Sequence, residues 1–291
     1  VDDTPVTTCA TTALGADVPV VMAPAMHEPM YDHPGVAEAL DRLAAWGVTF
    51  ADPRIEEGKA KIAAEEAVVT EVARAVTPDV LAGKRVVVTA GATSERIDPI
   101  RILTNRASGK TGREVARACY VRGADVTLVQ DGPDVSYADT IDVETADEMI
   151  EAATAAADTA DALVSAAAIS DFTADAVGEK IRSGSPLSLD LEPTPKLIDT
   201  VREAHPGLPI VGFKAETSGD DAAMVAEAER IRDRVGLAFV VANDASVMGA
   251  DESRVLLVGA DGTEPEEVVG PKHAVGGRVA DRLAAVLAAD A

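Results

Sequence analysis

The 291-residue sequence predicts an α/β protein whose larger part is a doubly wound, mostly parallel sheet, preceded by the back half of another α/β unit. Short apolar runs of strand length alternate with segments whose apolar residues recur at helical spacing. The alternation restarts after a breaker at Thr77-Pro78. Before that breaker stand only two candidate strands, too few to complete a sheet.

In order, VPVVMAP (Val18 to Pro24) reads as an apolar strand ending in a loop. Val36, Leu40, Leu43 and Ala44 mark a helix from Gly35 to Trp46, closed by Gly47, and Val48 to Asp52 is a second short strand. Ala63 to Val76 is a helix stopped by Thr77-Pro78. The expected units are residues 1–78 and 84–291, with Thr77 to Gly83 as the boundary.

The second run opens on RVVVTA (Arg85 to Ala90), a buried strand followed by a glycine-bearing loop, GATSERIDPIR. A helix over Thr111 to Arg122 ends at Gly123, and Asp125 to Val129 is the next strand. Thr145 and Glu148 form a capping-box pattern opening an alanine-rich helix. Asp161 to Ala168, Pro209 to Phe213, Leu237 to Asn243 and Arg254 to Gly259 supply further strands, with helices near Asp221 to Arg234 and Lys272 to Leu287.

Composition narrows the function. With 26 basic against 50 acidic residues the net charge is −24, which repels phosphate backbones and argues against nucleic-acid binding. Only 8 of the basic residues are lysines, and 3% of residues are aromatic, a balance resembling that of proteins from salt-loving organisms. No apolar run reaches the roughly 18 residues of a membrane span. The chain starts at Val1 without a basic-then-apolar leader, so upstream residues and a cytoplasmic location are expected. Cys9 and Cys119 form no CxxC and read as small apolar side chains in a reducing compartment. His27, His33, His205 and His273 show no metal-ligand spacing, so no metal site, zinc enzyme or Ser/His/Asp hydrolase is expected.

Ligands of such sheets bind beyond the carboxyl ends of the strands. That rule selects the loop after Ala90 (Gly91, Ala92, Thr93), the Ser108-Gly109-Lys110 turn, the segments after Ala168 and Phe213, and Asn243-Asp244. The dinucleotide fingerprint GxGxxG and the Walker pattern are both absent. Ala107 to Gly112 at a helix start suits an anion, though a lysine opening a solvated helix face fits equally. Ala166, Ala167 and Ala168 at a strand end permit a flat ring to approach the backbone. Asp171 and Lys180 follow in the same loop. Against a plain surface pair stand the scarcity of lysine and the position after a strand end.

Five ordered segments together resemble one family: AGATSERIDPIR, TNRASGKTG, SAAAISDF followed by GEKI, VGFKAET, and ANDAS. From about Lys84 onward they are similar to the phosphopantothenate–cysteine ligase half of the bifunctional coenzyme A biosynthesis enzymes. The resemblance implies a Rossmann-like ligase domain that joins L-cysteine to 4′-phosphopantothenate through an acyl-cytidylate formed from CTP, with Mg²⁺ on the triphosphate. It assigns Asn105 to steadying the acyl-nucleotide, Lys180 to the triphosphate, and Ala167 and Asp171 to the cytosine. Thr194, Pro195, Lys196, Leu197 and Phe213 become further nucleotide contacts. Glu229 and Asp233 stand where bacterial members carry lysines, with Arg230, Arg232 and Arg234 as the neighbouring cations.

Upstream, VPVVMAPAMHEPMY resembles the flavodoxin-like, FMN-dependent decarboxylase half, with Pro24, Ala25, Met26 and His27 at its PAM signature and His27 in place of the family's Asn. The family's catalytic histidine falls before Val1, and DPRIEEGKAKI lacks its clamp cysteine, so a truncated first domain is expected. The family also implies homo-oligomers, a ligase dimer and a decarboxylase trimer. A Rossmann-type NAD(P) oxidoreductase and a non-catalytic subunit are the rival readings.

Overall fold

The computed structural model describes residues 4–57, 59–182, 184, 187–216, 220–244, 252–260 and 263–289. The chain divides into two compact units, Val1–Asp79 and Val80–Ala291.

The first unit contains α1 (Pro5–Gly15), β1 (Val20–Met22), β2 (Met26–His27), α2 (Glu28–Tyr31), α3 (Pro34–Ala45), β3 (Val48–Phe50), β4 (Arg54–Glu56), β5 (Lys59–Lys61) and α4 (Glu65–Val76). β1 and β3 pair in parallel, Val20 opposite Val48. β2, β5 and β4 form an antiparallel sheet. α1, which the apolar pattern does not announce, is set by its ends: Thr4 and Thr7 cap each other reciprocally, and Pro5 sits in the first turn. Val48, Ala51, Ala60 and Ala63 are buried, whereas Trp46 and the α4 valines Val69, Val72 and Val76 are exposed.

The second unit begins with β6 (Arg85–Ala90), β7 (Ser94–Arg96), β8 (Ile102–Thr104), α5 (Lys110–Val121), β9 (Asp125–Gln130), β10 (Asp139–Asp142), α6 (Ala146–Ala157), β11 (Ala162–Ser165) and β12 (Phe172–Ala174). It continues through β13 (Leu191–Pro193), α7 (Leu197–Ala204), β14 (Ile210–Glu216), α8 (Asp221–Val235), β15 (Phe239–Asp244), β16 (Glu252–Val258), β17 (Glu266–Pro271) and α9 (Lys272–Ala289). Eight strands form one sheet in the order β10-β9-β6-β11-β14-β15-β16-β17. The sheet is parallel as far as β15; β16 and β17 add antiparallel. The order reverses between β6 and β11, which is where a doubly wound sheet opens a crevice.

Strand alternation builds the layers. Val86, Val88 and Ala90 of β6 face α5 and α9, packing with Val115, Cys119, Val279 and Leu283. Val87 points to the other face, into a cluster with Met149 of α6, Val201 of α7 and Met224 of α8. Gly112 lets α5 close on β6: a Cβ there would lie 2.6 Å from the Ala90 Cβ. Cys119 lies wholly in this core, and burial pushes its thiol up to about 12, so it behaves as an apolar side chain.

Several elements had no apolar run to reveal them. β10 is a polar edge strand, DTID; β7 is polar although Ser94 and Glu95 are buried, and β8, β12 and β13 are three-residue strands with little buried surface. The expected strand Asp161 to Ala168 ends at Ser165. Beyond it the chain follows the loop after β6, with Ala166 donating to the Thr89 carbonyl at 3.2 Å and Ala168 to that of Gly91 at 2.8 Å.

Candidate functional site

The carboxyl ends of β6, β11, β14 and β15 open into a cavity of about 1120 Å³, lined entirely by the second unit. One wall is the turn into α5. Gly109 caps this helix at φ +68, and a Cβ on it would lie 2.8 Å from the Gly91 nitrogen. Only glycine lets the two loops touch while the α5 N-terminus faces the cavity. Arg113 braces the turn, donating from Nη2 to the Ser108 carbonyl at 2.6 Å and from Nη1 to Oε1 of buried Gln130 at 3.3 Å. Ser108, Gly109, Lys110 and Arg106 all line the cavity.

A second wall is the strip Ala166–Ala168. Ala167 donates to Thr89 Oγ1 at 3.3 Å, which holds the strip against the end of β6. Asn105, just beyond β8, donates from Nδ2 to the Ala168 carbonyl at 3.0 Å and to that of Ile169 at 3.3 Å. Beside them Asp171 pairs with Lys196 at the start of α7, next to Pro195 and Leu197.

The third wall carries positive charge. Phe213 and Lys214 come from β14, and Arg230 and Arg234 from α8. Arg230 donates to Glu227 at 2.7 and 2.8 Å, and Arg234 to Asp199 at 2.9 Å. The Arg230 hydrogen bond outweighs the effect of burial and, with the charges of Arg230 and Lys214, holds the Glu227 carboxyl below its ordinary value. Residues four apart share a helix face and the one between does not. Arg232 accordingly points away: it is buried, paired with Asp233 at 2.7 Å, and is no part of the cavity wall. Asn243, Ser253 and Lys272 close the far side, with Lys272 Nζ 3.4 Å from Ser253 Oγ.

Some sequence-selected residues lie elsewhere. Thr93 is fully buried, its Oγ1 accepting from Ser170 N at 2.9 Å, and Ala92 bridges to Ala168; both support the wall from behind. Thr194 is also buried, donating to the Ser170 carbonyl at 2.5 Å. Lys180 is exposed and outside the lining, because residues 175–182 follow the 97–101 turn rather than the cavity. The Asp244 side chain, Ala245 and Ser246 of ANDAS, and Thr217 of VGFKAET lie outside the described residues.

Sequence reasoning named neither Arg106 nor Lys272 as a site residue, and reached Lys214 only as part of the segment after Phe213. The signal was available: Lys110, Lys196, Lys214 and Lys272, half of the chain's 8 lysines, line this one cavity. Among the described residues no three or more His, Cys, Asp or Glu side chains gather as a metal site. No described helix is long and apolar enough to cross a membrane. In the first unit Ala25 and His27 are exposed, Pro24 is half-buried, and Met26 pairs across to Ala60.

The family model of the DNA/pantothenate metabolism flavoprotein C-terminal domain matches residues 81–287, and that of the flavoprotein domain residues 1–77. A coenzyme A biosynthesis bifunctional protein, CoaBC, of Thermococcus kodakarensis is 49% identical over 266 residues, 90% of this chain and 66% of that protein. The Mycobacterium tuberculosis CoaBC (strain H37Rv) is 33% identical over 304 residues, 95% of this chain and 73% of that protein. The chain thus spans about two thirds to three quarters of these relatives' length. The crystal structure of a CoaBC C-terminal domain matches 72% of this chain and 98% of its own, with TM-score 0.59 at 27% identity. A Cab2 mutant in complex with phosphopantothenate-cysteine shares the fold, with TM-score 0.61 at 15% identity over 76% of this chain and 94% of that one. The chain belongs to the DNA/pantothenate metabolism flavoprotein family, that of the bifunctional coenzyme A biosynthesis proteins.

Proposed function

We propose that the second unit is a phosphopantothenate–cysteine ligase working through an acyl-nucleotide. The observation that carries this is the cavity, which brings Asn105, the Ala166–Ala168 strip and the Ser108–Lys110 turn into one site with a separate cationic wall. A carboxylate does not condense with an amine unaided, because an oxide leaving group is too basic. Activation at the α-phosphate of a nucleoside triphosphate makes the leaving group a nucleotide monophosphate. The carboxylate of 4′-phosphopantothenate attacks that phosphorus and pyrophosphate departs. The cysteine amine then attacks the carbonyl carbon, and the monophosphate leaves with the bridging oxygen.

In this reading the small alanines admit the flat base, and Asp171 reads the amino edge of cytosine, exchanging its bond to Lys196 for the ligand. Phe213, Pro195 and Leu197 supply apolar contact, and Asn243 and Ser253 polar contact. The α5 N-terminus with Lys110 takes one phosphate group, and Arg230, Arg234 and Lys214 take another. Asn105 spans the junction and offers its side-chain amide to the mixed anhydride. CTP is the nucleotide, and Mg²⁺ on its phosphates would neutralise part of their charge. The enzyme is cytoplasmic.

The first unit is the decarboxylase portion, for which FMN is the family's cofactor. The turn Pro24–His27 does not by itself enclose a flavin: two of its four residues are exposed and Met26 is committed to β2. Exposed Ile100, Ile102, Phe172 and Leu191 provide apolar surface that a second copy would cover in a homo-oligomer. Sedimentation in high salt tests that assembly. The ligase is tested by pyrophosphate release with 4′-phosphopantothenate, Mg²⁺ and CTP or ATP, with and without cysteine. Sustained release that requires cysteine and prefers CTP supports it; no release from folded protein with either nucleotide refutes it.

A further inference from the structure

Outside the cavity, one carboxylate fastens a distant segment to the turn that leads into β8 and Asn105. The Asp98 side chain has no exposed surface. Its Oδ1 accepts from the backbone N–H groups of Ile100 and Arg101, both at 2.8 Å, which shapes the local turn. Its Oδ2 serves a distant segment, accepting from Ile181 N at 3.1 Å while pairing with the Arg101 guanidinium. Arg101 Nη1 also donates to the Ile181 carbonyl at 3.1 Å. Ile181 is thus held at both its N–H and its C=O. On the other side of Lys180, Val177 donates to the Ile97 carbonyl at 2.9 Å.

The backbone on both flanks of Lys180 is therefore anchored to residues 97–101. That same turn leads into β8, and Asn105 directly follows this strand. Burial alone would raise the Asp98 pKa, but the three backbone donors and Arg101 hold it down to about 2, so the anchor stays charged wherever the protein works. A turn-forming aspartate needs only the bonds at Oδ1. The bond that Oδ2 takes from Ile181 N reaches across 83 residues and has no local purpose.

We propose that Asp98 is a positioning residue of the ligase: by tying residues 177–181 to the 97–101 turn it fixes the turn that leads into β8, and so the place of Asn105. This rests on assigning Asn105 to the acyl-nucleotide chemistry.

Asp98→Asn keeps one acceptor for the local turn and replaces the other with an N–H group that cannot receive Ile181. Ile181→Pro removes the same bond from the opposite side, and carries the test if Asp98→Asn does not fold. Each variant is expected to lower kcat by about 10- to 100-fold, the scale of a small misplacement of reacting groups. In an Asn105→Ala background neither should lower it further. Backbone amide exchange at Val177 and Ile181 should be faster in Asp98→Asn than in the wild type. Unchanged kcat in Ile181→Pro, or losses that add in full to Asn105→Ala, overturn the proposal. So does unaltered exchange, which is read without turnover. A wild-type chain that releases no pyrophosphate overturns the ligase reading instead, and the exchange comparison still decides whether Asp98 holds the segment.

Discussion

Asn105 donates its side-chain amide to the Ala168 carbonyl at 3.0 Å, joining the segment after β8 to the loop after β11 at the edge of the cavity. The bond lies on the surface and carries little of the fold. Asn105→Ala is expected to cut cysteine-dependent amide formation by at least about 100-fold, as loss of one donor to a developing charge does. Circular dichroism and the melting temperature should stay close to wild type. Turnover within about threefold of wild type would remove Asn105 from the chemistry.

Arg230 and Arg234 point into the cavity while Arg232, between them, is buried. Arg230→Ala and Arg234→Ala are therefore expected to raise the nucleotide KM about tenfold each without a large change in melting temperature. Arg232→Ala should behave in reverse, lowering stability with the KM of the surviving folded protein unchanged. Steady-state kinetics beside thermal melts separates the two patterns, and equal KM effects in all three variants would contradict the helix-face argument.

Two glycines answer different questions. Gly109→Ala forces a side chain onto a left-handed residue in contact with Gly91, distorting the anion turn. Weaker nucleotide binding in isothermal titration is the expected result. Gly112→Ala instead places a methyl between α5 and β6, 2.6 Å from the Ala90 Cβ. Overpacking of this kind costs about 1–3 kcal/mol, readable in urea unfolding.

Acid should reach the fold through its hydrogen-bonded carboxylates. Asp98, held down to about 2 from an ordinary 3.8, stabilises the native state fully above pH 3.8, and that contribution is lost as pH falls through about 2. Asp98→Asn is expected to flatten the pH dependence of stability between about pH 4 and 2. An unchanged slope in that window would show that the carboxylate is no better held in the folded chain than in the unfolded one.

The net charge of −24 sets a further expectation: raising KCl from about 0.1 M towards molar concentrations should raise the melting temperature by screening self-repulsion. A melting temperature that falls with salt would contradict it.

The sheet was legible because its strands are buried on both faces. RVVVTA and LAFVVAN are continuous apolar runs, and Gly123 and Gly236 end helices where the pattern stops. Elements made by polar residues were hidden: β10 is DTID, and β7 is buried as SER because Glu95 accepts from Ala146 N at 2.9 Å. At the site, Gly91 and Asn243, which the rule that ligands bind beyond strand ends selected, line the cavity, as does the Ala166–Ala168 strip read as a strand end. It could not tell lining from support in one loop. Thr93 and Thr194 differ from their neighbours only in turning inward onto Ser170. The cations of α8 escaped the rule because they sit within a helix, brought over the cavity by packing rather than by sequence adjacency.

The most direct measurement follows an oxygen atom. 4′-Phosphopantothenate carrying ¹⁸O in its carboxylate is turned over with CTP, Mg²⁺ and cysteine, and the products are read by mass spectrometry. The acyl-cytidylate route predicts one ¹⁸O in the released CMP and none in pyrophosphate. Label in orthophosphate with release of CDP, or no amide product from folded protein, would contradict it.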